Sequence, residues 1–445
     1  MRILSLTPGT GGTFYCENCL RDGQMVRALR RQGHDVTVVP LYLPILLDSE
    51  GMDAEAGVFF GGVNVFLQQQ LGLFRNTPRW FDRLFDSAWM LRRAAAQEGS
   101  TRAADLGPMT FSMLQGRRGR QRKELDRLLA WLSDQPKPDV AHISNALLLG
   151  VASEIRKTLN VPVVCSLQDE DTWVDAMAPA WRERCWRIIA EKGRDVDAFV
   201  SVSRWYAERI AARTQMSLER IRVVPLGIDW NEIQPAPLSV DPPVLGYLSR
   251  IHSTQGFSAL VDAFIQLKKE PRLKNLRLRA TGGVTSGDRD YVRDMMARLS
   301  DAGVAADVEI IEQFNKAARL EFVRSLTVLS SPAPMGEAFG LFILEAGACG
   351  VPVVQPDVGA FREVIEMTGG GLVYDPSDGA ALAETLKQVL LNPDLARSLG
   401  TRAREAIGAR FTSGAMAANM TVVFEECVAG RSAGNVRSAA ASKGT

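Results

Sequence analysis

The sequence predicts an α/β protein with two doubly wound parallel sheets, and three observations predict it. Short apolar runs alternate along most of the chain with stretches whose apolar residues recur at helical spacing. They do so in two series, separated by a segment from Trp230 to Pro243 that carries Pro235, Pro237, Pro242 and Pro243 and reads as a linker. With 445 residues and 46% apolar content, the chain has material for two cores.

In the first series Arg2 to Leu6 reads as a buried strand running into the turn Pro8-Gly-Thr-Gly-Gly12. A helix follows to about Gln32, closed by Gly33, and Val36 to Pro40 is the second strand. Alternation resumes at Asp139 to Ile143, Val161 to Leu167, Ala198 to Val202 and Ile221 to Pro225. Between the two blocks lies a helical insertion at about 42–135. It contains one apolar stripe, Trp80, Phe81, Leu84, Phe85, Ala88 and Leu91, expected to cover the sheet edge or line a cleft rather than lie on a membrane. The basic run from Arg117 to Lys123 is expected to be a solvated helix face, with contact to an anionic surface the weaker reading. The second series runs through Val244–Leu248, Leu276–Ala280, Val308–Ile311, Leu326–Leu329, Val351–Val354 and Leu372–Tyr374. The division expected is residues 1–232, residues 240–410 and a small, polar, disordered tail at 431–445.

Composition excludes more than it suggests. A formal net charge of +1 gives no global pull toward nucleic acid or membrane. The first residues are too quickly broken to read as a signal peptide, and no run of eighteen apolar residues predicts a membrane span. Six cysteines without a regular framework fit a reducing cytoplasm. Cys16 and Cys19 open the first helix in a Cys-x-x-Cys spacing, where thiol pKa values tend to fall. Zinc wants four ligands, and the only histidines are His34, His142 and His252, so local packing is expected rather than metal or redox chemistry.

One stretch carries chemistry: the apolar strand Leu326–Leu329, the loop Ser331-Pro-Ala-Pro-Met-Gly336, then Glu337-Ala-Phe-Gly-Leu-Phe-Ile-Leu-Glu345 and Cys349-Gly-Val-Pro-Val-Val354. Phe339 to Cys349 reads as a short helix closed by Gly350. The first turn of such a helix presents unpaired N–H groups and the positive end of the dipole, a ready anion site. Glu337 and Glu345 flank it, about 10 Å apart along the axis at the helical rise. That arrangement suits a nucleotide sugar, with one carboxylate on ribose hydroxyls and the other on the sugar.

In this context the stretch resembles the donor-site signature of the retaining glycosyltransferases of the GT-B fold, of the family 4 type. The resemblance covers most of the chain but not the insertion. It implies two Rossmann-like domains facing a cleft, the amphipathic stretch at about 411–428 crossing back to the first domain, and a retaining hexosyltransferase. Such an enzyme moves a sugar from a nucleotide-diphosphate sugar, UDP-sugar before GDP-sugar, to a sugar, lipid-linked or small-molecule acceptor. No cofactor, metal or nucleic acid is implied. Glu337 and Arg250 would be catalytic, Arg250 on the leaving diphosphate and Glu337 on the sugar. Gly11, Gly12, Phe339, Gly340 and Leu341 would border the donor phosphates, and Glu345 the ribose. In relatives a Lys stands five residues after the Arg; here that place is Gln255, with His252 the nearest replacement. A His-x-His loop in many relatives reads His142-Ile-Ser144 here, followed by Asn145. His142 is a core histidine or a sugar contact, and Asn145 a sugar contact. Asp169 and Asp171 spell a metal-binding Asp-x-Asp, but acceptor binding is preferred for them. The competing readings are a nucleotide-sugar-binding protein without turnover and a GT-B-fold phosphorylase or epimerase; no lysine stands out to carry the pyridoxal phosphate of a glycogen-type phosphorylase.

Overall fold

A computed structural model describes residues 1–8, 17–42, 106–235, 237–238, 240–311 and 315–441, the side chains of 286 and 432–441 excepted. Contacts divide the chain into two compact units. The first is residues 1–12, 22–224 and 416–445; the second is 13–21 and 225–415.

In the first unit the elements are β1 (Arg2–Thr7), α1 (Glu17–Arg31), β2 (Asp35–Pro40), α2 (Gly107–Leu114), α3 (Arg122–Ser133) and β3 (Val140–Ile143). They continue with α4 (Ala152–Leu159), β4 (Val163–Leu167), α5 (Glu170–Asp175), α6 (Pro179–Lys192), β5 (Ala198–Ser201), α7 (Arg204–Thr214) and β6 (Ile221–Val223). The central strands β3 and β4 are buried throughout because helices cover both sides of a parallel sheet. The order is β2-β1-β3-β4-β5-β6, all parallel, with Leu4 of β1 opposite Thr37 on one side and Ala141 on the other.

The second unit holds β7 (Val244–Leu248), α8 (Phe257–Leu267), β8 (Arg277–Thr281), α9 (Arg289–Asp301), β9 (Val308–Ile311), α10 (Lys316–Arg324) and β10 (Val328–Leu329). After these come α11 (Leu341–Ala348), β11 (Val353–Pro356), α12 (Phe361–Thr368), β12 (Gly371–Tyr374), α13 (Ala381–Leu390) and α14 (Pro393–Arg410). The strand order is β12-β11-β10-β7-β8-β9, again all parallel. Strand order reverses between β7 and β10, and in such sheets ligands bind beyond the carboxyl ends of the strands at that reversal. Ser331 fastens the two ends there: its hydroxyl accepts from the Leu248 amide and donates to the Leu248 carbonyl.

The last helix, α15 (Ser413–Ala441), starts in the second unit and enters the first at Met416. Two expectations change here. The donor-site helix begins at Leu341 rather than Phe339, because Gly340 turns the chain at φ +93° before it. Residues 431–441, expected to be disordered, continue α15; they are rich in Ala and contain no Pro to stop a helix. Trp80, Phe85 and the rest of the apolar stripe lie outside the described residues, as do Gly11, Gly12 and Cys16.

Gly256 precedes α8 at φ +78°, and a Cβ there would lie 1.9 Å from the Pro332 carbonyl oxygen. Gly256→Ala therefore meets left-handed strain and a backbone clash together. It is expected to cost about 2 kcal/mol or more in urea unfolding, whereas Gly303→Ala, equally left-handed but in open space, should cost about 1–2 kcal/mol.

Candidate functional site

At the strand-order reversal of the second unit, the loop after β10 delivers Glu337 and the start of α11. Gly336 and Gly359 pack backbone on backbone, at φ +70° and +63°; a Cβ on Gly336 would fall 2.5 Å from the Gly359 Cα. The Ala360 amide then donates to the Glu337 carbonyl at 3.0 Å, fixing that residue. Phe339 is fully buried and anchors the turn, while Met335 two residues before Glu337 is 72% exposed.

The first amides of α11 carry a carboxylate that the sequence did not suggest. Glu17 opens α1, whose residues as far as Arg21 belong with the second unit. Its two oxygens accept from the Leu341 amide at 2.7 Å and the Gly340 amide at 3.4 Å. Glu17 also shares a side-chain hydrogen bond with Glu337. Burial raises its pKa from an ordinary 4.5 to about 7, against the lowering effect of the two amides and Glu337, and the negative charge of Glu345 adds to the rise.

Arg250 leaves the end of β7 and is forked onto Asp288, Nε to Oδ2 at 3.0 Å and one terminal nitrogen to Oδ1 at 3.2 Å; that same nitrogen reaches the Thr285 hydroxyl at 3.0 Å. Asp288 is itself fixed by a capping box, its carboxylate accepting from the Thr285 amide and hydroxyl. Asp288 orients the guanidinium and offsets part of its charge. His252 lies on the same aspartate, Nε2 to Oδ1 at 3.8 Å, with Nδ1 2.8 Å from the Thr254 hydroxyl. Gln255 is half-buried; its carbonyl accepts from the Tyr247 hydroxyl at 3.0 Å and its amide donates to the His252 carbonyl. Thus Arg250, His252 and Gln255 stand in one loop beyond β7.

Glu345 sits about one turn into α11 among apolar residues, 2% exposed, and pairs with Arg319 of α10, also 2% exposed, at 3.0 Å. That pair is a buried ion pair, so Glu345 has a protein partner that the expectation of a ribose contact did not include.

In the first unit the expected contacts fall at the carboxyl ends of β3 and β4. His142 is fully buried, within 3.4 Å of the Ser5 hydroxyl and 2.8 Å of the Ser166 hydroxyl, its ring 5.9 Å from that of Phe424. It ties β1 to β4 in the core, the first of its two expected readings. Asn145 caps the following turn by accepting from the Leu147 amide. Asp169 holds φ +56°, left-handed backbone rare outside glycine, and is half-buried. Asp171 is buried and paired with Arg209. Between them Glu170 is buried and accepts from the Ala146 amide, the Gln168 amide and the Tyr206 hydroxyl at 2.7–2.8 Å, so it locks the two loops together; burial raises its pKa. Arg117 of the basic run is committed to Glu154 at 2.6 Å and Asp126 at 3.3 Å. Cys19 is disulfide-bonded, against the expectation of packing thiols, while Cys165, Cys185, Cys349 and Cys427 are free. Among the described residues no group of His, Cys, Asp and Glu could hold a metal ion.

The profile of the "Glycosyl transferases group 1" family matches residues 229–406, and that of the "Glycosyl transferase 4-like domain" matches residues 23–227. Together the two glycosyl transferase profiles take in most of the chain. The chain is 32% identical to a D-inositol 3-phosphate glycosyltransferase of Xylanimonas cellulosilytica over 232 residues, 49% of this chain and 52% of that protein. It is 28% identical to a phosphatidyl-myo-inositol mannosyltransferase of Mycobacterium leprae over 45% of this chain and 52% of that one. The chain thus spans about half the length of the curated relatives it matches. Its fold is that of sucrose-phosphate synthase from Thermosynechococcus elongatus (TM-score 0.70, 19% identity, 97% of this chain and 100% of that one). Anabaena Alr3699/HepE in complex with UDP-glucose matches at TM-score 0.66 and 16% identity, over 96% of this chain and 100% of that one. The architecture is the two-domain α/β fold of the GT-B glycosyltransferases.

Three residues escaped sequence reading. Asp288 was within reach, since Thr285-Ser-Gly-Asp288 after Gly282-Gly283 is a capping-box pattern. Arg319 and Glu17 had no local signal, because their partners lie 26 and 324 positions away.

Two measurements follow. Arg319→Leu strands a buried carboxylate and is expected to lower unfolding stability by about 3–5 kcal/mol, with most of it regained when Glu345→Leu is added. Glu17 carries a raised pKa, so the stability from its proton is fully present below about pH 4.5 and lost as pH rises through about 7. The fall in melting temperature between pH 5 and pH 8 should therefore be shallower in Glu17→Gln than in wild type.

Proposed function

We propose that the protein transfers a hexosyl group from a nucleoside-diphosphate sugar, a UDP-sugar before a GDP-sugar, to the hydroxyl of a sugar, lipid-linked or small-molecule acceptor, with retained anomeric configuration. The observation that carries this reading is the start of α11, where two backbone amides already hold an anion between Glu337 and the Arg319-bound Glu345. The UDP preference draws on Anabaena HepE, which is described in complex with UDP and UDP-glucose. The acceptor classes draw on relatives named for inositol phosphate and phosphatidyl-inositol.

Transfer requires that a diphosphate leave while positive charge builds on the sugar, so fixed dipoles and cations matter more than a strong base. The Gly340 and Leu341 amides and Arg250 would bind the departing diphosphate, Arg250 being delivered by Asp288. His252, on the same aspartate, would supply the charge that Gln255 lacks. Glu337 would take sugar hydroxyls and Glu345 the ribose. Since protein groups supply the positive potential, we propose transfer without a metal. In the first unit Asn145 and Asp169 are the proposed acceptor contacts, with Asp171 held by Arg209. No described helix is long and apolar enough to cross a membrane. Four free thiols fit a reducing, cytoplasmic setting, in which the Cys19 disulfide would be a reducible one.

The test is a panel of nucleotide sugars with and without acceptors, read by release of nucleoside diphosphate in the presence of EDTA. Release that depends on donor identity and persists in EDTA supports the reading; binding without turnover favours a nucleotide-sugar-binding protein. Arg250→Ala is expected to lower kcat roughly a hundredfold or more. His252→Ala should lower it too, while Gln255→Lys should add little, because the missing charge is already replaced.

A further inference from the structure

We propose that Glu17 is a donor-site residue whose carboxylate holds the anion cradle at the start of α11 in the unliganded protein, and that the donor's diphosphate displaces it. This rests on the reading of α11 as the donor site and adds a competitor that the reading does not contain.

The geometry is that of a ligand. A carboxylate spans the Leu341 and Gly340 amides with one oxygen on each, at 2.7 and 3.4 Å, much as two oxygens of a phosphate would. An anion at a helix N-terminus satisfies orphan N–H groups and meets the positive end of the dipole. The same two amides cannot serve Glu17 and a diphosphate together, since each has one hydrogen to donate.

The surroundings make this carboxylate a weak occupant. Burial works against its charged form and outweighs the favourable effect of the two amides and of Glu337, on the loop before α11. Glu345, on α11, repels it, with Arg319 of α10 balancing Glu345 rather than Glu17. On its own helix Arg21 stands one turn further along. The outcome is a carboxyl group with a pKa of about 7 that returns toward 4.5 once it leaves the pocket. Displacement by an incoming diphosphate therefore releases a proton near pH 6, and becomes easier as pH rises toward 7.

Calorimetric titration with UDP, and with GDP as a second arm, tests this on wild type, Glu17→Gln and Glu17→Ala, in two buffers of different ionisation heat. The expected result is that both variants bind the nucleotide about tenfold more tightly than wild type at pH 5.5, roughly the value of one hydrogen-bonded contact. The difference should shrink toward pH 8, and wild type should release one proton more than either variant on binding at pH 6. Glu17→Ala removes both oxygens, so it keeps the test decisive if the Gln side chain fills the same amides. Equal or weaker binding by both variants at pH 5.5 overturns the proposal while leaving the donor site intact. Failure of wild type and variants alike to bind either nucleotide overturns the donor-site reading and this proposal with it.

Discussion

Backbone amides at the start of a helix are donors without acceptors of their own, and the second unit is arranged around two of them. Gly340 turns the chain so that its own N–H and that of Leu341 point the same way. Gly336 and Gly359 bring two backbones into contact so that Glu337 arrives beside them. The strand-order reversal places the Arg250 loop and the α11 loop at one edge of the sheet, and Ser331 clamps the strand ends that carry them. None of these contacts is apolar. The sheet and its core supply rigidity, and the site is made from the hydrogen-bonding groups that the sheet's carboxyl edge leaves over.

Both units bury carboxylates near their loops, and they solve the cost differently. Glu345 is paired with a guanidinium, which offsets a carboxylate charge in an apolar setting. Glu170 is satisfied instead by two amides and a phenol hydroxyl, and burial pushes its pKa upward. Leaving either carboxylate without its partners would cost more than the net value of the contacts themselves. This explains why side chains expected to meet substrate turn out to be engaged with the protein, among them His142, Asn145 and Asp171.

The twelve strands among the described residues were legible in the sequence because parallel strands covered by helices read as largely apolar runs, and Gly and Pro punctuate them. The α11 stretch was legible for the same reason, as strand, loop, glycine and helix in series. Boundaries were less so: Phe339 reads as helix by its apolar neighbours, yet Gly340 delays the helix until Leu341. The partners of the site residues were hidden, since Arg319 meets Glu345 and Glu17 meets Leu341 through tertiary contacts that no local pattern encodes. Asp288 shows the intermediate case, a local capping pattern whose second task, holding Arg250, appears only in three dimensions.

The first unit is discontinuous in the chain. Its sheet is complete by Val223, but residues 416–445 also belong to it, with Phe424 fully buried beside His142, Thr421 3.2 Å from His34 and Glu426 paired to Arg222. During vectorial synthesis the N-terminal sheet therefore leaves the ribosome with an apolar seat still uncovered, and must wait for nearly two hundred further residues before the helix that closes it exists. The second unit, contiguous apart from 13–21, has no comparable delay. The half made first is thus the half finished last, and its exposed seat is where a nascent chain of this protein would most need a chaperone.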